Sequence, residues 1–304
     1  MRTLKLFSFP FVAMGTSCAL FIYSTRNKAN KAAKYAISEV LRIEARYSRY
    51  RADSVLSEIN LAAEHGAAID VDEETAGILD YAWSCYRKSS KLFDITSGIL
   101  RKAWNFSHPI LPEQGTLDRI LPLIGLEKVI WEPPRLTFTI PGMELDFGGI
   151  CKEYASDRAA GICKEQGIDH GLVDLGGDIN VIGPNPNGEP WHIEIRNPAI
   201  PDTAITTIDV ARGSLATSGN YERYIDVDGK RYCHILNPLT GWPVRGLSSV
   251  SVLAQQCIVA GSVSTIAMLK GKDGIQWLSD IGLPHLWVDG DGAMGKMLPE
   301  LILF

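Results

Sequence analysis

Apolar positions recur every three or four residues over 27–47, where Ala32, Ala33, Ala36, Ile37, Val40, Leu41 and Ile43 fall on one side, so the spacing predicts an amphipathic helix of several turns. A second helix is expected over 73–89, with Asp72 as N-cap and Ala76, Leu79, Ala82 and Trp83 facing inward. Similar spacing marks 152–167, 256–269 and 275–281. A polar, aromatic link at 48–54 leads into a short helix ending near Asn60. Between the helices lie β-prone runs at 7–23, 191–198, 205–210, 248–253, 286–289 and 294–297, the first read as one strand bent at Ala13-Met14-Gly15-Thr16. Residues 221–227 and 230–236 form a hairpin around Asp228-Gly229, a dipeptide that accepts the positive φ angles of a tight turn. Residues 101–142 read as connecting structure. The pattern predicts an α+β chain, with mixed sheets and packed helices in two interlocked subdomains around a cleft rather than a doubly wound sheet.

The densest polar stretch is 213–244, GSLATSGNYERYIDVDGKRYCHILNPLTGWPV. It places His234 near a strand end, between the hydroxyl-rich ATSGN loop and the NPLTG turn. An isolated histidine is more often structural than catalytic; these hydroxyl-rich and glycine-rich neighbours bring the two roles level. Two further stretches carry an acid onto a double glycine: 143–150, MELDFGGI, expected as a strand running into a helix, and 171–183, GLVDLGGDINVIG. Lys152, in the first turn of the following helix, opposes the helix dipole and calls for an anionic partner such as a phosphate. No GxGxxG opens a helix within a βαβ unit, and no GxxxxGK[ST] occurs. The remaining five histidines lack metal-ligand spacing.

Composition narrows the classes. The 304 residues suffice for a sizeable core, and a net charge of -5 without a basic patch argues against nucleic acid as a partner. The six cysteines, at 18, 85, 151, 163, 233 and 257, show no CxxC pairing and fit free thiols in a reducing compartment. The apolar runs of the first 23 residues are too short to span a bilayer, and Arg2 and Lys5 alternate with apolar residues as in a strand, so a cytoplasmic location is expected.

Taken in order, the AMGT, SRYRADSVLSEIN, FDITSGIL, LDFGGICKEYASDRAA, LVDLGGDINVIG, ATSGNYERY and HILNPLTG segments resemble the ApbE family, the FAD:protein FMN transferases. The resemblance covers nearly the whole chain and implies one flavin transferase domain over residues 1–304. It implies FAD as substrate, a divalent metal, usually magnesium, and transfer of FMN to a threonine hydroxyl of an acceptor flavoprotein with release of AMP. It further implies that Met14, Tyr50, Phe93, Asp94, Asp146 and Lys152 line the FAD site and that His234 lies against the flavin or pyrophosphate as the catalytic residue. At the metal position the family pairs an aspartate with a threonine four residues later and with a loop carbonyl. Thr265 and the Gly149 carbonyl are retained here, but Gly261 stands in place of the acid. A hard cation favours carboxylate oxygen, so Asp174 and Asp178 become the candidates to restore the charge. Because of Gly261, a non-catalytic FAD-binding protein and an FAD pyrophosphate hydrolase are the alternatives to the transferase.

Overall fold

The computed structural model describes residues 4–304, so Arg2 lies outside the described residues. β1 (Lys5–Ala13) and β2 (Thr16–Ser24) pair antiparallel from Lys5 opposite Ser24 to Ala13 opposite Thr16. The expected bent strand is therefore a hairpin. Met14 at φ 52° and Gly15 at φ 72° reverse the chain, and two successive positive φ angles make a tight turn rather than a bulge.

α1 (Arg26–Tyr47) follows and buries Ala32, Ala33, Ala36, Val40 and Ile43, the periodic face read from the sequence. α2 (Val55–His65) begins where the Ser54 hydroxyl accepts the Ser57 N–H and ends at Gly66 in the left-handed region. After β3 (Ala68–Asp70), α3 (Glu73–Lys88) is capped by Asp72, which accepts the Thr75 N–H. The stretch read as connecting structure contains α4 (Gln114–Ile120), β4 (Val129–Glu132) and β5 (Arg135–Phe138), and β5 lies between β3 and β4 in a small antiparallel sheet. It also supplies Trp104, whose indole N–H donates to the Gly241 carbonyl at 2.7 Å and whose ring meets Trp242 edge-on.

α5 (Cys151–Glu165) leads to β6 (Gly171–Leu175), β7 (Asp178–Gly183), β8 (Trp191–Arg196) and the long β9 (Ala204–Gly219). The expected hairpin is β10 (Tyr224–Val227) with β11 (Lys230–Cys233), Val227 opposite Lys230 across Asp228-Gly229. β12 (Leu247–Ala254), α6 (Cys257–Lys270), α7 (Asp273–Ile281), β13 (His285–Asp289), β14 (Met294–Met297) and β15 (Ile302–Leu303) complete the chain.

The main sheet runs β1-β2-β6-β7-β9-β12-β13-β14, with β8 and β15 also joined to β9. All these pairs are antiparallel except β15 with β9, so the α+β expectation holds and the sheet is not doubly wound. One core joins α1, α2, α3 and α5 to β2 and β6 through residues such as Leu20, Ile22, Val40, Ile43 and Ala155. A second, built from Ile193, Ile195, Ile208, Val210 and Leu215, lies where β8 folds onto β9. A third seats Ala260, Val263 and Ala267 of α6 against Val250 and Val252 of β12.

This topology sets the site. The β1–β2 turn at Met14-Gly15, the β6–β7 turn at Gly176-Gly177 and the Ser218-Gly219 end of β9 emerge at the same end of the sheet, because Cys18 pairs with Leu175 and Ile179 with Leu215. The Thr16 side chain fills the space beside Gly176, so the two turns touch.

Candidate active site

Several chain segments meet at that end. Residues 143–147 run extended but not in a strand, correcting the sequence expectation. Their polar groups go elsewhere: the Leu145 N–H donates to Asn60 Oδ1 at 2.7 Å, Asn60 Nδ2 donates to the Leu145 carbonyl at 3.0 Å, and the Asp146 N–H donates to the Ile95 carbonyl at 2.8 Å. A side-chain amide and a carbonyl from the first residue of a 3-10 helix thus replace a neighbouring strand. The chain then turns through Phe147-Gly148-Gly149-Ile150 into α5, with the Phe147 carbonyl accepting from both Ile150 and Cys151.

Asp146 is fixed from three sides. Its carboxylate pairs with Arg49 through Oδ2 and accepts the Gly148 N–H through Oδ1 at 2.7 Å, while Gly98 backs directly onto its Cβ. The Arg49 guanidinium sits 5.0 Å from the centre of the Tyr50 ring, which is 81% exposed. Phe93 is buried against Gly149. Asp94 is also buried: Oδ1 accepts the Thr96 N–H and hydroxyl at 2.8 and 2.6 Å, and Oδ2 accepts the Leu126 N–H at 3.2 Å. Burial nevertheless raises its pKa. Its carboxylate is spent on capping a 3-10 helix, Ile95–Lys102. Met14 takes its positive φ beside Glu44, whose carboxylate accepts the Met14 N–H.

Lys152 finds its anion within the protein. Its Nζ lies 3.0 Å from Asp178 Oδ2, and the Asp178 side chain is only 3% exposed. Asp174 spends its carboxylate on the tight turn, accepting the Gly177 N–H at 2.8 Å. Neither acid is therefore the one nearest Gly261. That place belongs to Glu153: a Cβ built on Gly261 would lie 2.4 Å from Glu153 Cγ and 2.6 Å from Oε1. Glu153 is 7% exposed and its Oε2 has no hydrogen-bond partner. Burial, reinforced by the charge of Asp178, pushes its pKa up to about 8. Thr265, one turn beyond Gly261, hydrogen-bonds Ser218 at the end of β9 at 2.9 Å.

His234 follows β11 and stands near the Met14-Gly15 turn through Arg223. The Arg223 guanidinium lies 3.8 Å from the position a Cβ would take on Gly15, and the Arg223 carbonyl accepts both the His234 N–H at 3.0 Å and the ring Nδ1–H at 3.1 Å. Only a protonated Nδ1 satisfies that carbonyl, which leaves the Nε2 lone pair free in the neutral ring. The side chain is open to solvent, yet enough protein surrounds it for desolvation to lower its pKa.

Sequence reading missed Arg49, Arg223, Glu153 and Asp157. Asp157, inside α5, accepts the Cys257 and Ile258 N–H groups at 2.7 and 3.0 Å and an Asn180 amide proton at 2.8 Å, so it caps α6 from another helix. An acid in the middle of a helical run was the available signal; its partner a hundred residues on was not.

The family model described as the ApbE family matches residues 14–287. The chain belongs to the ApbE family. Among curated relatives, the FAD:protein FMN transferase of Vibrio cholerae is 31% identical over 234 residues, 74% of this chain and 69% of that protein. The Escherichia coli K12 protein of the same description is 30% identical over 236 residues, 74% and 67% of the two chains. The crystal structure of the ApbE protein of Thermotoga maritima superposes with a TM-score of 0.89 at 30% identity, covering 96% of this chain and 97% of its own. The flavin transferase ApbE of Vibrio cholerae gives 0.86 at 26% identity, with 97% of each chain covered.

Among the described residues no helix is long and apolar enough to cross a membrane, and no group of three or more His, Cys, Asp or Glu side chains is placed to hold a metal. The test of fit for a divalent cation is thus Glu153. A buried carboxylate oxygen without a hydrogen-bond partner, on a side chain packed against Gly261 and one turn of α6 from Thr265, is a donor of the right chemistry.

Proposed function

We propose that the protein is an FAD:protein FMN transferase, acting on FAD and on an acceptor flavoprotein that presents a threonine hydroxyl. The observation that supports this reading is that His234, with a free Nε2, is joined through Arg223 to the Met14-Gly15 turn, at the end of the sheet where Asp178 holds Lys152. Residues 1–304 are taken as one transferase domain. The cytoplasmic placement rests on six buried cysteines, none of them disulfide-bonded.

In the proposed reaction the threonine oxygen forms a bond to the FMN phosphorus of FAD. The bond from that phosphorus to the bridging oxygen breaks, and AMP leaves with the bridging oxygen. His234 Nε2 takes the hydroxyl proton, the Arg223 carbonyl holding its Nδ1–H and so its tautomer. Asp146, braced by Arg49, and the Gly148-Gly149 backbone shape the loop that meets FAD, and Phe93 supports Gly149 from behind. Asp94 acts through its Thr96 and Leu126 bonds, positioning the loop rather than touching FAD. Tyr50 offers an exposed ring to a planar group, and Met14 holds the neighbouring turn. Lys152 keeps a positive charge near the pyrophosphate while tied to Asp178. Magnesium, when bound, supplies charge neutralisation at the pyrophosphate, and Thr265 and the Gly149 carbonyl are the groups proposed to hold it.

The test is incubation with FAD, magnesium and an acceptor domain that the Vibrio cholerae relative modifies. Covalent flavin on the acceptor threonine and an equal amount of AMP are expected; the absence of both ends the proposal. Free FMN formed without acceptor would assign a hydrolase instead.

A further inference from the structure

The space beside Gly261 is not empty. A side chain at 261 would need the volume that Glu153 Cγ and Oε1 occupy, at 2.4 and 2.6 Å from the nearest possible Cβ. No real Cβ tolerates such contacts, so a side chain at 261 and the present rotamer of Glu153 exclude each other. α5 and α6 meet here, Gly261 facing Glu153 and Cys257 lying beside Ser156 and Asp157. Glu153 is the long side chain that fills the gap.

Its charge is attracted by Lys152 and repelled by Asp178 and Asp157. Lys152, next in sequence, is committed to Asp178 at 3.0 Å. Glu153 Oε2 is buried without a hydrogen bond. Burying a carboxylate oxygen unbonded is costly, and proteins tolerate it where a proton or a cation completes the site. Were Glu153 ionised beside Asp178, two buried carboxylates would face the single charge of Lys152, and a proton or a cation must balance the second. Thr265 lies one helical turn beyond Gly261 on the same face of α6. Gly149 lies four residues before Glu153, at the entrance to α5.

We propose that Glu153 supplies the carboxylate of the divalent-cation site, reaching across from α5 into the space left by Gly261, so that the acid has moved from one helix to the facing one while Thr265 and the Gly149 carbonyl keep their places. This rests on the transferase reading for the identity of the cation, but it concerns binding alone and is read without acceptor or turnover.

The experiment is titration of the whole protein with Mn2+, with and without FAD, followed by the loss of the free Mn2+ electron paramagnetic resonance signal, with thermal melting in parallel. Wild-type protein is expected to bind one Mn2+ and to melt higher in its presence. E153Q keeps the volume and removes the charge. It is expected to fold but to lose more than about tenfold in Mn2+ affinity, since even outer-sphere partners of a bound metal are worth 10–100-fold. The double variant E153G/G261D is expected to regain binding, whereas G261D alone, forced against Glu153, is not. Unchanged Mn2+ affinity in folded E153Q, or no Mn2+ binding by wild type under either condition, overturns the proposal. Binding that depends on Glu153 in a protein that transfers no FMN would keep this inference and remove the transferase reading.

Discussion

Gly98→Ala is a small change with a large expected consequence. The added Cβ would lie 2.3 Å from Asp146 Cβ and 3.3 Å from its backbone nitrogen, so the Asp146 loop must retreat by more than about 1 Å to restore normal carbon–carbon separation. Alanine at a helical position otherwise gains up to about 1 kcal/mol over glycine, against an overpacking cost of about 1–3 kcal/mol. The net effect on stability is therefore modest, about 0–3 kcal/mol, or several degrees in Tm at about 2–4 °C per kcal/mol. Function should suffer more. The shift breaks the Asp146 N–H bond to Ile95 and disturbs the Arg49 pair, and a 1 Å misplacement of a positioning group is worth about 100-fold in rate. Melting curves and initial rates of FMN transfer at saturating FAD separate the two effects. A variant that transfers FMN within a factor of about two of wild type would refute the claim that close packing of Gly98 on Asp146 positions the loop.

Three further outcomes are expected. His234→Asn should abolish transfer while leaving the melt unchanged. Because burial lowers the His234 pKa, the neutral ring persists to more acidic pH, so the acid limb of kcat/KM in the wild type should fall below the ordinary imidazole value of 6.5; a limb above it counts against His234 as the base. Lys152→Met strands the buried Asp178 carboxylate and should cost about 3–5 kcal/mol, read by denaturant unfolding, with K152M/D178N recovering part of the loss; equal stabilities would deny the pair its role. Asp157→Ala removes the acceptor from two N–H groups of α6 and should destabilise by about 1–2 kcal/mol, with faster amide exchange at Cys257 and Ile258; unchanged exchange would refute the cap.

The sequence by itself determined α1, α3, α5, α6 and α7, the Asp228-Gly229 hairpin, the Asp72 cap and the order of motifs that marks the family. Each of these is decided by residues within a few positions of one another: a period, a cap or a turn dipeptide. The same locality explains the misreadings. Met14-Gly15 and a strand bend look alike in one dimension, and only pairing of Lys5 with Ser24 makes a hairpin of it. Residues 143–147 have the composition of a strand, yet Asn60 and Ile95 take the bonds a neighbouring strand would have made. Gly261 read as a missing ligand because the sequence shows which side chain is absent and not which one enters the space. Tertiary structure decided that Glu153, 108 positions earlier, fills it, because the facing helices α5 and α6 share one volume and packing lets only one side chain occupy it.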